Sequence, residues 1–495
     1  MRRIDSATPD LPLFDVARTR GIEAAALAVL PAHALMQRAG ETVARLALAL
    51  APHARTIRVV AGPGNNGGDG LDAAIRLQHA GKQVEVMLLG EPQADDARDA
   101  LARARDAGLP IHAEAPTRLG HHDLAIDALL GIGASRAAEG AMRAAIDTLN
   151  TLPCPVLAID LPSGLSADTG QPLGAAVRAT HTLSLLTLKP GLFTAAGRDH
   201  AGTVWLDALD VDTGGAEPSA WLGGALAAPA EWRRHAQHKG SFGDVAVIGG
   251  APGMTGAAVL ASRAALAAGA GRVFVEMLDP ASPALDAGRP ELMVRPGWSH
   301  RVDRGSLERS IVVCGCGGGD AVRAVLPALL GSCQRLVLDA DAINAVASDA
   351  ALRQQLATRA TRRQATVLTP HPLEAARLLG CRAAEVQADR LTAAQQLADQ
   401  SGGVVVLKGS GTVIAAPGRT PRINASGNAS LATAGTGDVL AGWLGAEWAQ
   451  RSEADPFEGA WRAAVHAVWW HGAAAEAAGV PVLRAADLIE RMARR

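Results

Sequence analysis

Ala434-Gly435-Thr436-Gly437-Asp438-Val439-Leu440-Ala441-Gly442 reads as a tight turn of small residues running into a helix. Glycine and alanine let the backbone bend sharply, and Val439-Leu440 with Trp443-Leu444 behind them predict an amphipathic helix starting near Gly437. The first N–H groups of such a helix have no partner within it, so they face outward and favour an anion. Asp438 falls in the first turn, where its carboxylate can take a proton from a hydroxyl while the N–H groups hold phosphoryl oxygens. Taken alone the stretch fits a plain helix cap equally well, since Thr and Asp are good capping residues.

The same plan recurs upstream. Asp244-Val245-Ala246-Val247-Ile248 is an apolar strand that ends in Gly249-Gly250-Ala251-Pro252-Gly253-Met254-Thr255-Gly256, and a helix follows from Ala257 to near Gly269. Ser310-Ile311-Val312-Val313 ends in Cys314-Gly315-Cys316-Gly317-Gly318-Gly319-Asp320. Leu336-Val337-Leu338 leads into Asp339-Ala340-Asp341, and Thr366-Val367-Leu368 into Thr369-Pro370-His371-Pro372. Strand ends that deliver Gly, Asp and His to one edge are the mark of a doubly wound α/β sheet. His371 sits between two prolines that fix its backbone, which favours a ligand contact over core packing. Val404-Val405-Val406-Leu407 enters Lys408-Gly409-Ser410-Gly411-Thr412, a cationic glycine-rich turn suited to nucleotide phosphates. The adjacent Trp469-Trp470 pair reads as packing.

The first half repeats the alternation. After two helical stretches up to about Leu50, the strand Ile57-Arg58-Val59-Val60-Ala61 runs into Gly62-Pro63-Gly64-Asn65-Asn66-Gly67-Gly68-Asp69-Gly70, with a helix expected over 71–79. Strand, glycine loop and helix bring backbone N–H groups to a phosphate or diphosphate, although the spacing is not the dinucleotide fingerprint. Leu124-Ala125-Ile126-Asp127 and Pro155-Val156-Leu157-Ala158-Ile159-Asp160 each end a strand on a carboxylate, the second followed by Leu161-Pro162-Ser163-Gly164. In a parallel sheet Asn66, Asp127, Asp160 and Ser163 therefore converge, as hard oxygen donors suited to an alkali or alkaline-earth cation. Helix capping by Asp127 and Asp160 is the plainer alternative. Lys189, between expected strands at 182–187 and 203–206, is either a general acid or base or a surface charge.

Between Asp212 and Glu231 the run Thr213-Gly214-Gly215-Ala216-Glu217-Pro218, then Gly223-Gly224 and Pro229, lacks periodicity, and we place the boundary of two large domains near residue 220. A chain of 495 residues exceeds one core, and a net charge of −2 argues against a nucleic-acid surface. Five Cys without a CxxC pair show no disulfide ladder or zinc framework, which fits a reducing compartment, and Cys314 and Cys316 read as small buried residues. No apolar run reaches the ~18 residues a membrane span needs, so a cytoplasmic, soluble protein is expected. Tyr is absent, which removes tyrosine as a catalytic acid.

On GxGNNGGDG (62–70), D-A-L-x-G-x-G (127–133) and D-x-P-S-G (160–164), residues 1–220 resemble the epimerase domain that acts on hydrated nicotinamide dinucleotides. The resemblance implies inversion at C6 of the NADH or NADPH hydrate on a Rossmann-like parallel-sheet sandwich. It implies that Asn65, Asn66, Gly67, Gly68, Asp69, Gly131, Ile132, Gly133, Ala134, Ser135, Arg136, Ala137 and Asp160 hold the substrate and that Asn66, Asp127 and Ser163 bind K+. Asp160 and Lys189 are our candidates for proton transfer. Gln37 stands where that family more often has Glu, and no chemistry is placed there.

Residues 221–495 are similar to the ribokinase-like fold and, within it, to the ADP- or ATP-dependent dehydratase of (S)-NAD(P)H hydrate, on Gly253-Met254-Thr255-Gly256-Ala257-Ala258, Thr369-Pro370-His371-Pro372, Lys408-Gly409-Ser410, Gly427-Asn428 and 432–440. This implies hydrate contacts from Ala257, Gly319, His371 and Asp438, with nucleotide contacts from Lys408, Gly409, Ser410, Gly411, Thr412 and Gly437. Two departures are Cys314-Gly315-Cys316-Gly317-Gly318, where G-P-G-L-G is usual, and Leu373, where Gly is common. ADP or ATP is then a co-substrate and Mg2+ accompanies it. The expected partners are NAD(P)H hydrates and an adenine nucleotide, with no nucleic acid, no membrane, and a homo-oligomeric assembly. A ribokinase-like small-molecule kinase with an N-terminal binding or regulatory domain is the alternative.

Overall fold

Short apolar runs buried on both faces are what parallel sheets demand, and both sheets are built from them. The computed structural model of the protein describes residues 1–114, 118–224 and 233–494. The end of the expected linker, with Pro229 and Glu231, lies outside the described residues. Contacts divide the chain into two units, Met1–Asp5 with Pro12–Leu222, and Ser6–Leu11 with Gly223–Arg495. Ser6–Leu11 joins the second unit although it lies between the two segments of the first in sequence, and local charge explains why. Asp10 accepts hydrogen bonds from the Arg422 guanidinium at 2.5 Å and from the Gly224 N–H at 3.1 Å, and Ser6 Oγ donates to Glu476 at 2.6 Å.

In the first unit eight strands lie in the order Arg2–Arg3, Thr203–Asp207, His181–Leu185, Val156–Ile159, Leu124–Ala128, Thr56–Ala61, Gln83–Leu88, Ile111–His112. All neighbours are parallel except Arg2–Arg3 against Thr203–Asp207. From Thr56–Ala61 the chain steps one way to Gln83–Leu88, then returns to Leu124–Ala128 on the other side. That reversal opens a crevice beyond the strands' carboxyl ends, the usual ligand position in open α/β sheets. Alternate residues feed two cores: Ile57, Val59 and Ile126 pack on one face, Val60, Ala125 and Ala158 on the other.

The glycine loop departs from expectation. The helix begins at Asn65 and runs to His79, so Asn65, Asn66 and the glycines after them are helical, not a loop before a helix at 71. Packing outweighs glycine's poor helix propensity here. A Cβ at Gly67 would lie 2.0 Å from the Gly62 carbonyl oxygen, and one at Gly70 would lie 2.5 Å from Ala128 Cβ. Only bare backbone lets this helix come so close to the sheet.

The second unit's sheet contains, in order, Met293–Val294, Arg272–Met277, Asp244–Gly249, Ile311–Cys314, Arg335–Leu338, Ala365–Leu368, Val404–Leu407, Val413–Ala415 and Arg422–Asn424. It is parallel as far as Val404–Leu407 and antiparallel over the last two. The strand order again reverses, between Asp244–Gly249 and Ile311–Cys314. Leu407 pairs with Val413, so 408–412 closes a hairpin and opens no helix. Helix Thr436–Ala449 differs from the amphipathic expectation: Val439 through Ala449 are all buried, with Trp443 and Trp448 among the largest fully buried side chains. A helix apolar all round belongs inside a core, and alanines of Thr255–Ala267 pack against it, with Gly442 close to the Ala261 backbone.

Candidate active sites

In the first unit a cleft of about 900 Å³ lies at the switch in strand order. Asn65, Asn66, Asp69, Gly131, Ile132, Gly133, Ala134, Ser135, Arg136, Ala137 and Asp160 all line it. Gly67 and Gly68 do not: Gly67 is pressed on the Gly62 backbone, and a Cβ at Gly68 would meet the Met36 side chain at 2.5 Å. Their smallness serves packing.

Asp127, one residue before the end of strand Leu124–Ala128, is fully buried. Its carboxylate accepts from Ser163 Oγ at 2.6 Å, Ser163 N at 2.8 Å and Leu129 N at 3.2 Å. Burial pushes its pKa up to about 6 against those three hydrogen bonds, and among the described residues no basic side chain offsets the charge. Leu130 N donates to Ser163 Oγ at 2.8 Å, and a Cβ at Gly131 would touch the Asn66 side chain at 3.4 Å, so the three predicted metal ligands gather round the 129–131 turn. Asn66 is buried with its Nδ2 unpartnered. An uncompensated buried carboxylate, a hydroxyl and a carboxamide form an all-oxygen set that fits an alkali cation.

Asp160 sits beyond Val156–Ile159 with φ of 66°, a strained conformation for a residue with a side chain, and faces the cleft. Lys189 is no surface charge: it is 0 % exposed. Its ammonium donates its three hydrogens to the Asp160 carboxylate and to the carbonyls of Leu185 at 2.7 Å and Thr187 at 2.9 Å, with Ser184 Oγ a more distant neighbour at 3.3 Å. Asp160 is thus the face of this ion pair and Lys189 its back. Two more carboxyl groups join the cleft wall. Burial, then repulsion from Asp160 and Glu23, holds Asp69 well above the usual carboxylate range, and burial and Asp160 raise Glu23. Sequence reading missed Glu23, because it lies in a helix, Val16–Leu27, with no turn motif to draw notice.

In the second unit Thr436–Ala449 starts behind Gly435, whose φ is 90°, and Asp438 lies in its first turn. His471 Nε2 lies 2.9 Å from the Thr436 carbonyl and Thr436 Oγ1 donates to Leu431 O at 2.9 Å, so the helix start is tied down from two sides. Burial, then repulsion from Asp339, pushes the Asp438 pKa up to about 6, with the Cys316 thiol and Lys408 acting against the rise. A Cβ at Gly437 would stand 3.4 Å from Lys408 Nζ, which puts the ammonium at the helix's N-terminal end. Lys408 Nζ donates to Asp339 Oδ1 at 2.7 Å. Burial works against its charge, yet Asp339 and Glu374 outweigh that and hold its pKa above the usual value.

The hairpin 408–412 is anchored from beneath by Arg390, 1 % exposed, whose guanidinium donates to Leu407 O at 3.1 Å and Lys408 O at 3.2 Å. Gly409 has φ of 136° and Gly411 of 61°, which keep Ser410 and Thr412 on a tight turn. On the facing loop Gly315, Gly317 and Gly319 all have positive φ, and Gly319 N donates to Asp341 Oδ2 at 2.9 Å. A Cβ at Gly317 would strike Ala257 Cβ at 2.9 Å, so this turn abuts the start of Thr255–Ala267. His371 caps helix Pro372–Leu379: its Nδ1 accepts from Leu373 N at 3.1 Å while Glu374 Oε2 accepts from His371 N at 2.8 Å. Burial and Lys408 lower its pKa, which leaves a neutral ring with Nε2–H as donor. Asp339 and Arg390 bear on the site without having been picked out from sequence: Asp339 read as one of several strand-end carboxylates, and Arg390 lies outside any turn.

Two separate polar centres, each at the carboxyl edge of a parallel sheet, define a two-centre α/β enzyme. Residues 245–491 match the family described as NAD(P)H-hydrate dehydratase, and residues 32–191 match YjeF-related protein N-terminus. The chain is 38% identical over 476 residues to the bifunctional NAD(P)H-hydrate repair enzyme of Escherichia coli, covering 92% of this chain and 87% of that one. It is 36% identical to that of Coxiella burnetii, over 84% of this chain and 86% of the other. Among solved structures, the ADP/ATP-dependent NAD(P)H-hydrate dehydratase of Bacillus subtilis, co-crystallised with ATP and Mg2+, is 30% identical over 53% of this chain and 91% of that chain, with a TM-score of 0.44. The chain belongs to the family of bifunctional NAD(P)H-hydrate repair enzymes and carries a dehydratase and an epimerase; the small-molecule kinase alternative has no support in these matches. Among the described residues no helix is long and apolar enough to cross a membrane.

Proposed function

We propose that residues 1–220 interconvert the R and S hydrates of NADH and NADPH at C6, and that residues 221–495 use ADP or ATP to dehydrate the S form. In the first reaction the cleft wall at 65–69 and 131–137 holds the dinucleotide. Asp160 exchanges a proton with the hydrated ring, and Lys189 fixes and balances its charge from behind. Asn66, Asp127 and Ser163 are suited to hold K+, which would neutralise the buried Asp127 carboxylate and stiffen the 129–131 turn against the substrate.

In the second reaction Ala257, Gly319 and His371 border the ring. Asp438 takes the proton of the C6 hydroxyl, and that oxygen attacks the terminal phosphoryl group. The N–H groups of the helix start, Gly437 among them, and Lys408 with the 409–412 turn receive the charge that develops on the phosphoryl oxygens. Bound with the nucleotide, Mg2+ would add to that charge neutralisation. The C6 phosphoester then eliminates: the ring nitrogen drives phosphate out, C5 gives up a proton, and NADH or NADPH returns with phosphate and AMP or ADP. Buried free thiols favour a cytoplasmic setting; a homo-oligomeric assembly completes the reading, and sedimentation tests it.

The observation that carries this reading is Asp438, partly buried at a helix N-terminus beside the Lys408 ammonium with its pKa pushed up to about 6. A base poised near neutral pH is what abstraction from an alcohol needs. Incubation of mixed R and S hydrates with ADP, or separately ATP, while the reduced nicotinamide absorbance is followed, tests it. Complete recovery requires both centres, recovery of the S fraction alone requires only the second, and no recovery with either nucleotide refutes the assignment.

A further inference from the structure

We propose that Cys316, Asp339 and Asp438 together form a binding site for a thiophilic divalent metal ion, Zn2+ in particular, and that its occupation silences the dehydratase centre alone. The silencing rests on Asp438 being the base; the metal site does not.

The turn after strand Ile311–Cys314 carries a thiol to two carboxylates that come from elsewhere in the fold. Ligand atoms of the three residues all lie within 4.8 Å of one another, and Cys316 Sγ is 3.8 Å from Asp339 Oδ2. Zinc bonds of about 2.3 Å to sulfur and about 2.0–2.2 Å to oxygen put tetrahedral ligand atoms roughly 3.5 Å apart, so small side-chain rotations close the site. Asp339 is already aimed: Thr369 Oγ1 at 2.6 Å and Lys408 Nζ at 2.7 Å occupy its Oδ1, which leaves Oδ2 towards the thiol. Outer-shell bonds of this sort are what orient carboxylate ligands in metal sites. Cys316 and Asp339 are 0 % and 1 % exposed, whereas Asp438 is only partly buried, so a fourth position opens beside Asp438 for water.

Charge favours a cation as well. Three acidic groups crowd together with Lys408 as their nearby ammonium, which bonds Asp339 and, among the described residues, neither of the other two. Binding replaces the thiol proton by the metal: Cys316 S–H becomes an S–metal bond, one proton leaves to water, and no oxidant or reductant is involved. Sulfur separates this ion from Mg2+, which takes oxygen ligands and keeps its waters.

The test uses the full chain, free of nucleotide, titrated with Co2+ as a spectroscopic stand-in for Zn2+. Expected is a near-ultraviolet thiolate-to-cobalt absorption that saturates at one equivalent, persists in Cys381→Ser, where the exposed thiol is removed, and vanishes in Cys316→Ala and Cys316→Ser. The two variants guard against misfolding of either, with the melting transition recorded for each. In parallel, at buffered free Zn2+, dehydration of the S hydrate should fall at least tenfold while epimerisation by the same sample is unchanged, and Cys316→Ala should be at least tenfold less sensitive. No absorption, or absorption that survives loss of Cys316, overturns the site. Absorption that depends on Cys316, with dehydration untouched by Zn2+, overturns the silencing and counts against Asp438 as the base, leaving the metal site standing.

Discussion

The two units set a carboxylate at the edge of a parallel sheet and then treat it in opposite ways. Asp160 is clasped by a lysine that is itself walled off and spends its other hydrogens on two backbone carbonyls, whereas Asp438 touches a thiol, and the nearby Lys408 ammonium is engaged by Asp339. Asp160 has its counter-ion bonded directly behind it; Asp438, raised to about 6 by burial and a like-charged neighbour, faces an ammonium whose hydrogen bond goes to Asp339. The same fold logic thus yields a carboxylate bonded to its counter-ion in one unit and, in the other, one whose neighbouring ammonium bonds a different carboxylate.

The contrast breaks most sharply under Asp438→Asn. Loss of the base should cut kcat for the S hydrate by roughly 10³-fold while epimerisation continues, measured as nicotinamide absorbance with nucleotide in excess. An unchanged rate would remove Asp438 as the base and with it the second unit's half of the comparison. Next, Asp160→Asn should slow equilibration of the R and S forms about 10²-fold, followed chromatographically, with dehydration of pure S hydrate unaffected. Lys408→Met should act mainly on the nucleotide, raising its KM by about tenfold or more through loss of a charge-assisted contact. A pH profile sharpens the difference: Asp438 acts as a base only when ionised, so dehydration should fall about tenfold per unit below about pH 6.

The smallest effect concerns Asp127. Its folded pKa of about 6 lies above the ordinary carboxylate value, so the folded state holds its proton more tightly and, without a cation, stability is lost as pH rises from about 4 through about 6. K+ binding to the ionised group should reverse this. We expect K+ to raise the melting temperature by a few degrees, about 1 kcal/mol, at pH 8 and by nothing at pH 5, with Asp127→Asn insensitive to K+ at both.

Much of this was legible in the sequence because turn chemistry is local. Glycines at 249–256 and 315–319 and aspartates at 127 and 160 announce strand ends by composition, and the strands lie where the apolar runs place them. What stayed hidden depends on distant packing. The helix at Asn65 begins six residues before the periodicity does, because Gly62 and Ala128 accept its bare backbone. The helix after Asp438 is buried all round only because a second layer covers it. Glu23 and Arg390 acquire meaning from partners 137 and 18 residues away, Asp160 and Lys408, which no local pattern records.

Ser6–Leu11 carries a last consequence. Asp10 is made 412 residues before Arg422, and Ser6 470 residues before Glu476, their hydrogen-bond partners. The second unit must keep a place for a strap made hundreds of residues earlier, and a fragment that starts after it would begin life with Arg422 short of its counter-ion. Translation order and folding order therefore run against each other at Ser6–Leu11.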